Sequence, residues 1–150
     1  MRFTTPTIAD ADALAERYHR GQVDKAGNPY INHPRAVAEA LREHGDHTVM
    51  AGLLHDIVED TPITLEQLRK LGYPEEVVAA VDSVTRRPGE DYMDLIRRAA
   101  ANPLGRLVKL QDNAHNSDPA RLALLSADER EWFTQKYAKA RKVLLGEKEA

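Results

Sequence analysis

The chain contains no cysteine among its 150 residues, which excludes disulfide bonds. Any metal site must therefore use histidine, aspartate and glutamate, a donor set that favours Mn, Fe, Mg or Zn. No apolar run approaches the ~18 residues that a bilayer-spanning helix needs. The first residues also lack the apolar core of a signal peptide. We therefore expect a cytoplasmic protein with no membrane association.

Neither sign of charge dominates the composition. Lys and Arg number 21 against 24 Asp and Glu, which gives a net charge of -3, and the two signs are mixed along the chain. This balance gives no electrostatic reason to expect nucleic acid or a membrane surface as a partner. The length predicts a single domain over residues 1–150 with a real hydrophobic core. Whether that domain forms an oligomer is left open.

Alternating β-branched residues are absent, and helical periodicity fills the chain, which predicts an all-α fold. Capping-box pairs mark helix starts at Thr7, Thr64 and Ser126. Pro34 fits the first turn of the second helix, so His33 is its predicted N-cap. The predicted helical segments lie at about 7–21, 33–44, 46–58, 64–72, 74–84, 91–101, 103–113, a short turn from 118, and 126–145.

Polar side chains concentrate near the end of the third predicted helix, in "GLLHDIVEDT". His55 and Glu59 are four residues apart and share a face, and Asp56 and Asp60 share the adjacent face. The helical period directs His55 and Glu59 away from the apolar stripe around Leu53. Acids in a last turn oppose the helix macrodipole, so a bound cation or a function is expected there.

A second polar group follows the apolar stretch in "RLVKLQDNAHNSDP". Asp112, His115 and Asn116 are related by three- and four-residue spacings and share one helix face, and Lys109 lies one turn earlier. An ionised aspartate directly after an apolar segment is costly to bury unless it is paired or bound to a metal. Asp112 is therefore a candidate ligand.

Together these blocks resemble the HD-domain phosphohydrolases. Most closely they are similar to the alarmone hydrolases: the hydrolase half of RelA/SpoT enzymes and the stand-alone small alarmone hydrolases, which include the metazoan Mesh1 type. The matching text is "HRGQVDKAGNPYINHPRAVAEAL", "AGLLHDIVEDTPITLEQL", "VDSVTRR" and "LVKLQDNAHNSDPARL", over about residues 10–125. The resemblance implies one HD-domain bundle of about 8–9 helices. A packing helix at about 127–145 follows this core, with Trp132 and Phe133 expected as its core anchors.

The resemblance also implies roles for the polar groups. Glu59 and Asp60 match the acidic pair that orients and activates the attacking water. The family binds one Mn²⁺-type ion, for which other divalent ions could substitute, through two histidines and two aspartates. The matching ligands in this chain are His33, His55, Asp56 and Asp112.

Substrate contacts follow in the same way. Asn116 matches an asparagine that contacts the sugar-phosphate region, and Lys25 and Lys109 are expected to attract phosphates. Asp24 stands where the family usually has an arginine. An aspartate can neither stack on a base nor offer a donor fork, although it can accept hydrogen bonds from a base. The base preference is therefore open.

The implied activity is removal of the 3′-pyrophosphate from guanosine penta- and tetraphosphate, the alarmones of the stringent response, by a stand-alone hydrolase. The expected partner is thus a small-molecule nucleotide. Two alternatives stay open. One is a related phosphohydrolase acting on an adenosine alarmone or on the 2′-phosphate of NADPH; the other is a non-catalytic metal- or nucleotide-binding domain. Glu59 and Asp60 favour catalysis, since a purely structural metal site would not need them.

Overall fold

The computed structural model describes residues 5–147, and over this range the chain is an all-α bundle, as predicted. The one strand-type pairing within these residues is a bridge between Val23 and Pro29. A 3-10 turn, Arg42–His44, lies between the second and third helices. The helices are α1 (Ile8–His19), α2 (Asn32–Glu39), α3 (Asp46–Leu54), α4 (Ile57–Asp60), α5 (Leu65–Lys70), α6 (Glu75–Val84), α7 (Tyr92–Ala100), α8 (Pro103–Asn116), α9 (Pro119–Leu122) and α10 (Ala127–Leu144).

Local sequence explains several helix starts. Thr7, Thr64 and Ser126 each accept a hydrogen bond from the backbone N–H three residues later, and the side chain at that later position reciprocates. These are the three predicted capping boxes, each of which satisfies two otherwise free backbone donors. Asp91 and Asn102 cap α7 and α8 through single side-chain oxygens.

Helix α3 is the centre of the bundle. Every residue from Thr48 to Leu54 is buried, and α3 packs against α1, α2, α6 and α8. A Cβ atom added to Gly52 would lie 2.9 Å from Leu41 Cδ1 and 3.2 Å from the Ala38 Cα. Glycine therefore permits α2 and α3 to approach closely, and this approach brings the start of α2 near the end of α3.

The start of α2 differs from the prediction. The helix begins at Asn32 with Ile31 in the capping position, and no side chain caps it. His33 is consequently inside the first turn and is not the N-cap. Its backbone N–H donates to the Tyr30 carbonyl at 2.9 Å, which leaves its ring free for other contacts. The helix also ends at Glu39, because the chain tightens into the 3-10 turn that follows.

The predicted helix over 46–58 is broken. Helix α3 ends at Leu54 and α4 begins at Ile57, which raises the number of helices in the described range to ten. The His55 ring donates to the Gly52 carbonyl at 2.6 Å, a carbonyl that the Asp56 amide would use in a continued helix. His55 thereby turns inward and is only 2% exposed. The prediction that it shares an outward face with Glu59 is wrong.

The C-terminal helix also departs from expectation. Trp132 is 59% exposed and meets the Phe133 ring edge-on at 4.8 Å, so the prediction that it anchors the core is wrong. The residues that α10 buries are Ala140 and Leu144, because its C-terminal half packs on the bundle. Within residues 5–147 no helix has both the length and the apolar character needed to cross a membrane.

Candidate active site

Four side chains converge where α2, the α3–α4 junction and α8 meet. His33 Nε2 lies 2.9 Å from Asp112 Oδ1, although 79 positions separate them in sequence. His55 Nε2 lies 3.0 Å from Asp56 Oδ2 and 3.6 Å from Asp112 Oδ1. The remaining cross-distance, from His33 Nε2 to Asp56 Oδ2, is 3.9 Å. The structure thus brings together all four residues that the sequence named as ligands.

The His55 ring is oriented as a ligand would be. Its Nδ1 donates to the Gly52 carbonyl, so in the neutral ring its Nε2 carries a lone pair. That Nε2 atom is buried and has no hydrogen-bond partner, although two carboxylate oxygens lie nearby. A buried polar atom without a partner needs an explanation. A cation between the imidazole and carboxylate lone pairs supplies one, and two imidazoles with two carboxylates suit a divalent ion.

Both carboxylates are held by neighbouring donors. The Tyr30 hydroxyl donates to Asp56 Oδ2. Lys109 Nζ donates to Asp112 Oδ2 at 2.8 Å, and Asn116 Nδ2 donates to Asp112 Oδ1 at 3.0 Å. Supporting contacts of this kind fix the orientation of metal ligands. Sequence reasoning missed the role of Tyr30, since no spacing signal connects it to Asp56.

The electrostatics of the cluster call for a positive charge. Burial raises the pKa of Asp112, but Lys109 and His33 more than offset this and hold that pKa well below the ordinary value. Burial alone would lower the pKa of His55, yet Asp56 and Asp112 raise it well above the ordinary value. The carboxylates are thus ionised, and the charge they require is either a proton on His55 or a bound cation. A divalent ion would displace that proton.

The predicted catalytic acids lie beside this cluster on α4. Glu59 and Asp60 are exposed, and together with Asp56 they place carboxylate oxygens within 4.8 Å of one another. The Arg86 backbone N–H donates to Glu59 Oε1 at 2.7 Å and fixes that carboxylate. Although part of the Asp60 side chain is exposed, partial burial of its carboxyl group, followed by the charges of Asp56 and Glu59, raises the pKa of Asp60 to about 6. A carboxylate with such a pKa can take a proton near neutral pH.

A cavity of about 560 Å³ opens between the loop at 24–28 and helices α8, α9 and α10. We call it the α8–α10 pocket. Its volume falls within the range of roughly 300–1,000 Å³ that is typical of small-molecule sites. Lys25 and Asn116, two of the predicted substrate residues, line it together with Arg121. The rings of Phe133 and Tyr137 form part of the wall, 5.7 Å apart and nearly parallel.

The other two predicted substrate residues have contacts that the sequence did not indicate. Asp24 lines the pocket, but its Oδ1 accepts hydrogen bonds from the N–H groups of Ala26 and Asn28, each at 2.9 Å. It therefore orders the loop. Lys109 is mostly buried against Asp112 and is not among the residues that line the pocket. Its charge is already paired with that carboxylate.

The fold and this cluster define a class of protein. The HD-domain family matches residues 11–147, and the chain belongs to that family. Among its relatives is the GTP pyrophosphokinase of Streptomyces coelicolor, which is 41% identical over 124 residues that cover 75% of this chain and 14% of that protein. Another is the guanosine-3′,5′-bis(diphosphate) 3′-pyrophosphohydrolase of Haemophilus influenzae, 39% identical over 116 residues that cover 69% of this chain and 17% of that protein.

The chain therefore spans less than a fifth of the length of these curated relatives. A solved structure matches it over nearly its whole length. That structure is described as a metazoan ortholog of SpoT that hydrolyses ppGpp and plays a role in starvation responses. The TM-score is 0.76 at 26% identity, and the match covers 97% of this chain and 88% of the other. The resemblance to alarmone hydrolases drawn from the sequence motifs is confirmed.

Proposed function

We propose that the chain is a metal-dependent hydrolase that removes the 3′-pyrophosphate from guanosine penta- and tetraphosphate-type nucleotides. The observation that carries this proposal is the meeting of His33, His55, Asp56 and Asp112 around a buried, unpartnered His55 Nε2. The relatives named as 3′-pyrophosphohydrolases supply the substrate class.

The four residues would hold one divalent ion, for which we propose Mn²⁺. Nitrogen and carboxylate ligands in this ratio suit a borderline ion with positions left for water and a phosphate oxygen. When bound, such an ion lowers the pKa of water and stabilises charge that develops on phosphorus. Tyr30, Lys109 and Asn116 hold the two carboxylates in place.

Glu59 and Asp60 act on the attacking water as a pair. Glu59 is fixed by the Arg86 amide and orients the water. Asp60, whose pKa is raised to about 6 by burial and by Asp56 and Glu59, takes the proton. The water oxygen then bonds to the phosphorus that is attached to the 3′ oxygen. The bond between that phosphorus and the 3′ oxygen breaks at the same time. Pyrophosphate leaves, and the 3′ oxygen takes up a proton to become a hydroxyl.

The α8–α10 pocket would hold the nucleoside and its 5′-phosphates. Lys25 and Arg121 supply positive charge to its walls, and the Phe133 and Tyr137 rings supply flat apolar surface. Asn116 lines the pocket and also donates to Asp112. It would therefore connect nucleoside binding to the metal ligands.

The test is a substrate panel with the purified chain and Mn²⁺. Guanosine tetraphosphate, its adenosine counterpart and NADPH would each be assayed for pyrophosphate and for orthophosphate. We expect pyrophosphate release from guanosine tetraphosphate, loss of activity on chelation and recovery when Mn²⁺ is restored. If orthophosphate were released from NADPH and the other two nucleotides were not hydrolysed, NADPH would replace the alarmone as the proposed substrate. Chelation without effect would remove the metal from the mechanism.

A further inference from the structure

A lysine on α10 stands in an arrangement that the proposed mechanism does not use. Lys136 Nζ lies 4.1 Å from the centre of the Tyr92 ring, 5.0 Å from that of Trp132 and 5.5 Å from that of Phe133. Aromatic faces attract a cation without neutralising it. The three rings therefore restrain the ammonium group and leave its charge available to an anion.

The charged groups around Lys136 are also positive. Burial and the charges of Lys109 and Arg86 together lower the pKa of Lys136. Within residues 5–147, no carboxylate lies within 4.0 Å of its ammonium group. A half-buried cation beside two others is unfavourable unless an anion joins it.

The charged atom of Lys109 and the backbone of Arg86 both contact candidate catalytic groups. Lys109 donates to Asp112 Oδ2, and the Arg86 amide holds Glu59. Tyr92, whose ring faces Lys136, is also within electrostatic reach of Lys109 and Asp112. An anion held at Lys136 would therefore lie on the Asp112 side of the metal ligands.

We propose that Lys136 forms an anion subsite that binds a phosphate or pyrophosphate group of the substrate. This inference rests on the proposed function for the identity of the anion, although binding itself needs no turnover. A nucleotide with two separate phosphate groups carries more negative charge than one divalent ion can balance. Cations beyond the metal are therefore required, and Lys109 is already paired with Asp112.

Trp132 provides a direct measure of binding, because it is the only tryptophan in the chain and its ring lies beside Lys136 Nζ. Inorganic pyrophosphate would be titrated into the full chain at fixed free Mn²⁺ while tryptophan fluorescence is followed. Four proteins would be compared: wild type, Lys136→Met, Lys136→Arg and the control Lys139→Met, which alters an exposed lysine of the same helix. Lys136→Met removes the charge and keeps most of the length.

We expect Lys136→Met to weaken pyrophosphate binding roughly tenfold to a hundredfold, the effect of losing one charge-assisted hydrogen bond. Lys136→Arg should restore much of it, and Lys139→Met should match wild type. If Lys136→Met bound pyrophosphate as tightly as wild type, the lysine would serve only to pack the rings and the subsite would be disproved. If pyrophosphate bound in a Lys136-dependent way but no alarmone were hydrolysed, the proposed function would fail and the subsite would stand.

Product inhibition identifies which phosphate group the subsite holds. Inhibition of hydrolysis by pyrophosphate should weaken in Lys136→Met if the subsite holds the leaving group. Inhibition by guanosine diphosphate should weaken if it holds the 5′-phosphates. Either result supports an anion subsite at Lys136, whereas unchanged inhibition by both products would overturn it.

Discussion

The Nδ1 atoms of His33 and His115 lie 2.6 Å apart, with the two rings stacked at 4.9 Å. One of these nitrogens must carry the shared proton. His33 Nε2 faces Asp112 and Asp56 and would need its lone pair for a metal, so His33 Nδ1 is the donor and His115 Nδ1 the acceptor. Burial is the largest cause that lowers the pKa of His115, which keeps that ring neutral and able to accept.

Removing this acceptor should loosen the metal site. We expect His115→Ala to weaken divalent-ion binding by about 10- to 100-fold, as is typical when the hydrogen-bond partner of a ligand histidine is lost. A metal titration would measure this, with circular dichroism to show that the helices remain. His44→Ala, at an exposed histidine, is the matched control. Unchanged metal affinity in His115→Ala would mean that His33 is held in place by other contacts.

Glu59→Gln should reduce turnover by about 10²- to 10⁴-fold, because the water that Glu59 orients is no longer aligned for proton transfer to Asp60. The glutamine oxygen can still accept from the Arg86 amide, so the fold and the metal occupancy should persist. Steady-state kinetics and metal analysis would be compared with Glu66→Gln, a change at an exposed glutamate on α5. Wild-type turnover in Glu59→Gln would show that Glu59 does not orient the attacking water.

Asp60 should make the rate of hydrolysis fall at acidic pH, which gives the pH–rate profile an acidic limb. Burial and the charges of Asp56 and Glu59 raise its pKa to about 6, and the group must be ionised to take a proton. Activity should therefore fall as the pH drops through about 6, or through a lower value once the ion adds its positive charge. The check is kcat/KM against pH at constant metal occupancy. Asp60→Asn should be slow and should lack this limb; a limb that persists in Asp60→Asn would belong to another group.

The two contributions of Asp24 can be separated by two substitutions. Asp24→Asn removes the charge but keeps an oxygen that can accept from Ala26 and Asn28. It should lower KM for guanosine tetraphosphate by fivefold or less, roughly the value of one exposed charge, with kcat unchanged as for uniform binding. Asp24→Ala should instead raise KM, because the loop loses both bonds. A higher KM in both variants would show that the carboxylate charge itself contacts the substrate.

Much of the fold could be predicted from the sequence because its signals are local. The capping boxes at Thr7, Thr64 and Ser126 depend on residues three positions apart, and all three formed as expected. The break between α3 and α4 could not be predicted from periodicity. It depends on the hydrogen bond from the His55 ring to the Gly52 carbonyl, which replaces a regular backbone bond of the helix. The apolar periodicity of the sequence continues through this break and so does not reveal it.

The candidate site divides in the same way. The ligand set can be predicted because its residues lie in sequence motifs that resemble those of a known family. The contacts of Tyr30 with Asp56, of His115 with His33 and of Lys136 with Tyr92 join residues that are far apart in sequence. Such contacts have no sequence spacing, although the three-residue interval from Asp112 to His115 places that histidine on the ligand face. The three-residue spacing of Lys109 and Asp112 permits the ion pair that the structure shows, but the sequence does not say whether Lys109 contacts Asp112 or the substrate.

The most direct test of the account is hydrolysis of guanosine tetraphosphate by the purified chain with Mn²⁺ in water labelled with heavy oxygen, followed by mass analysis of both products. Attack on the phosphorus next to the 3′ oxygen predicts equal amounts of pyrophosphate and guanosine diphosphate, with the label in pyrophosphate alone. Label in the 3′ hydroxyl of the nucleotide, or release of orthophosphate in place of pyrophosphate, would contradict the mechanism.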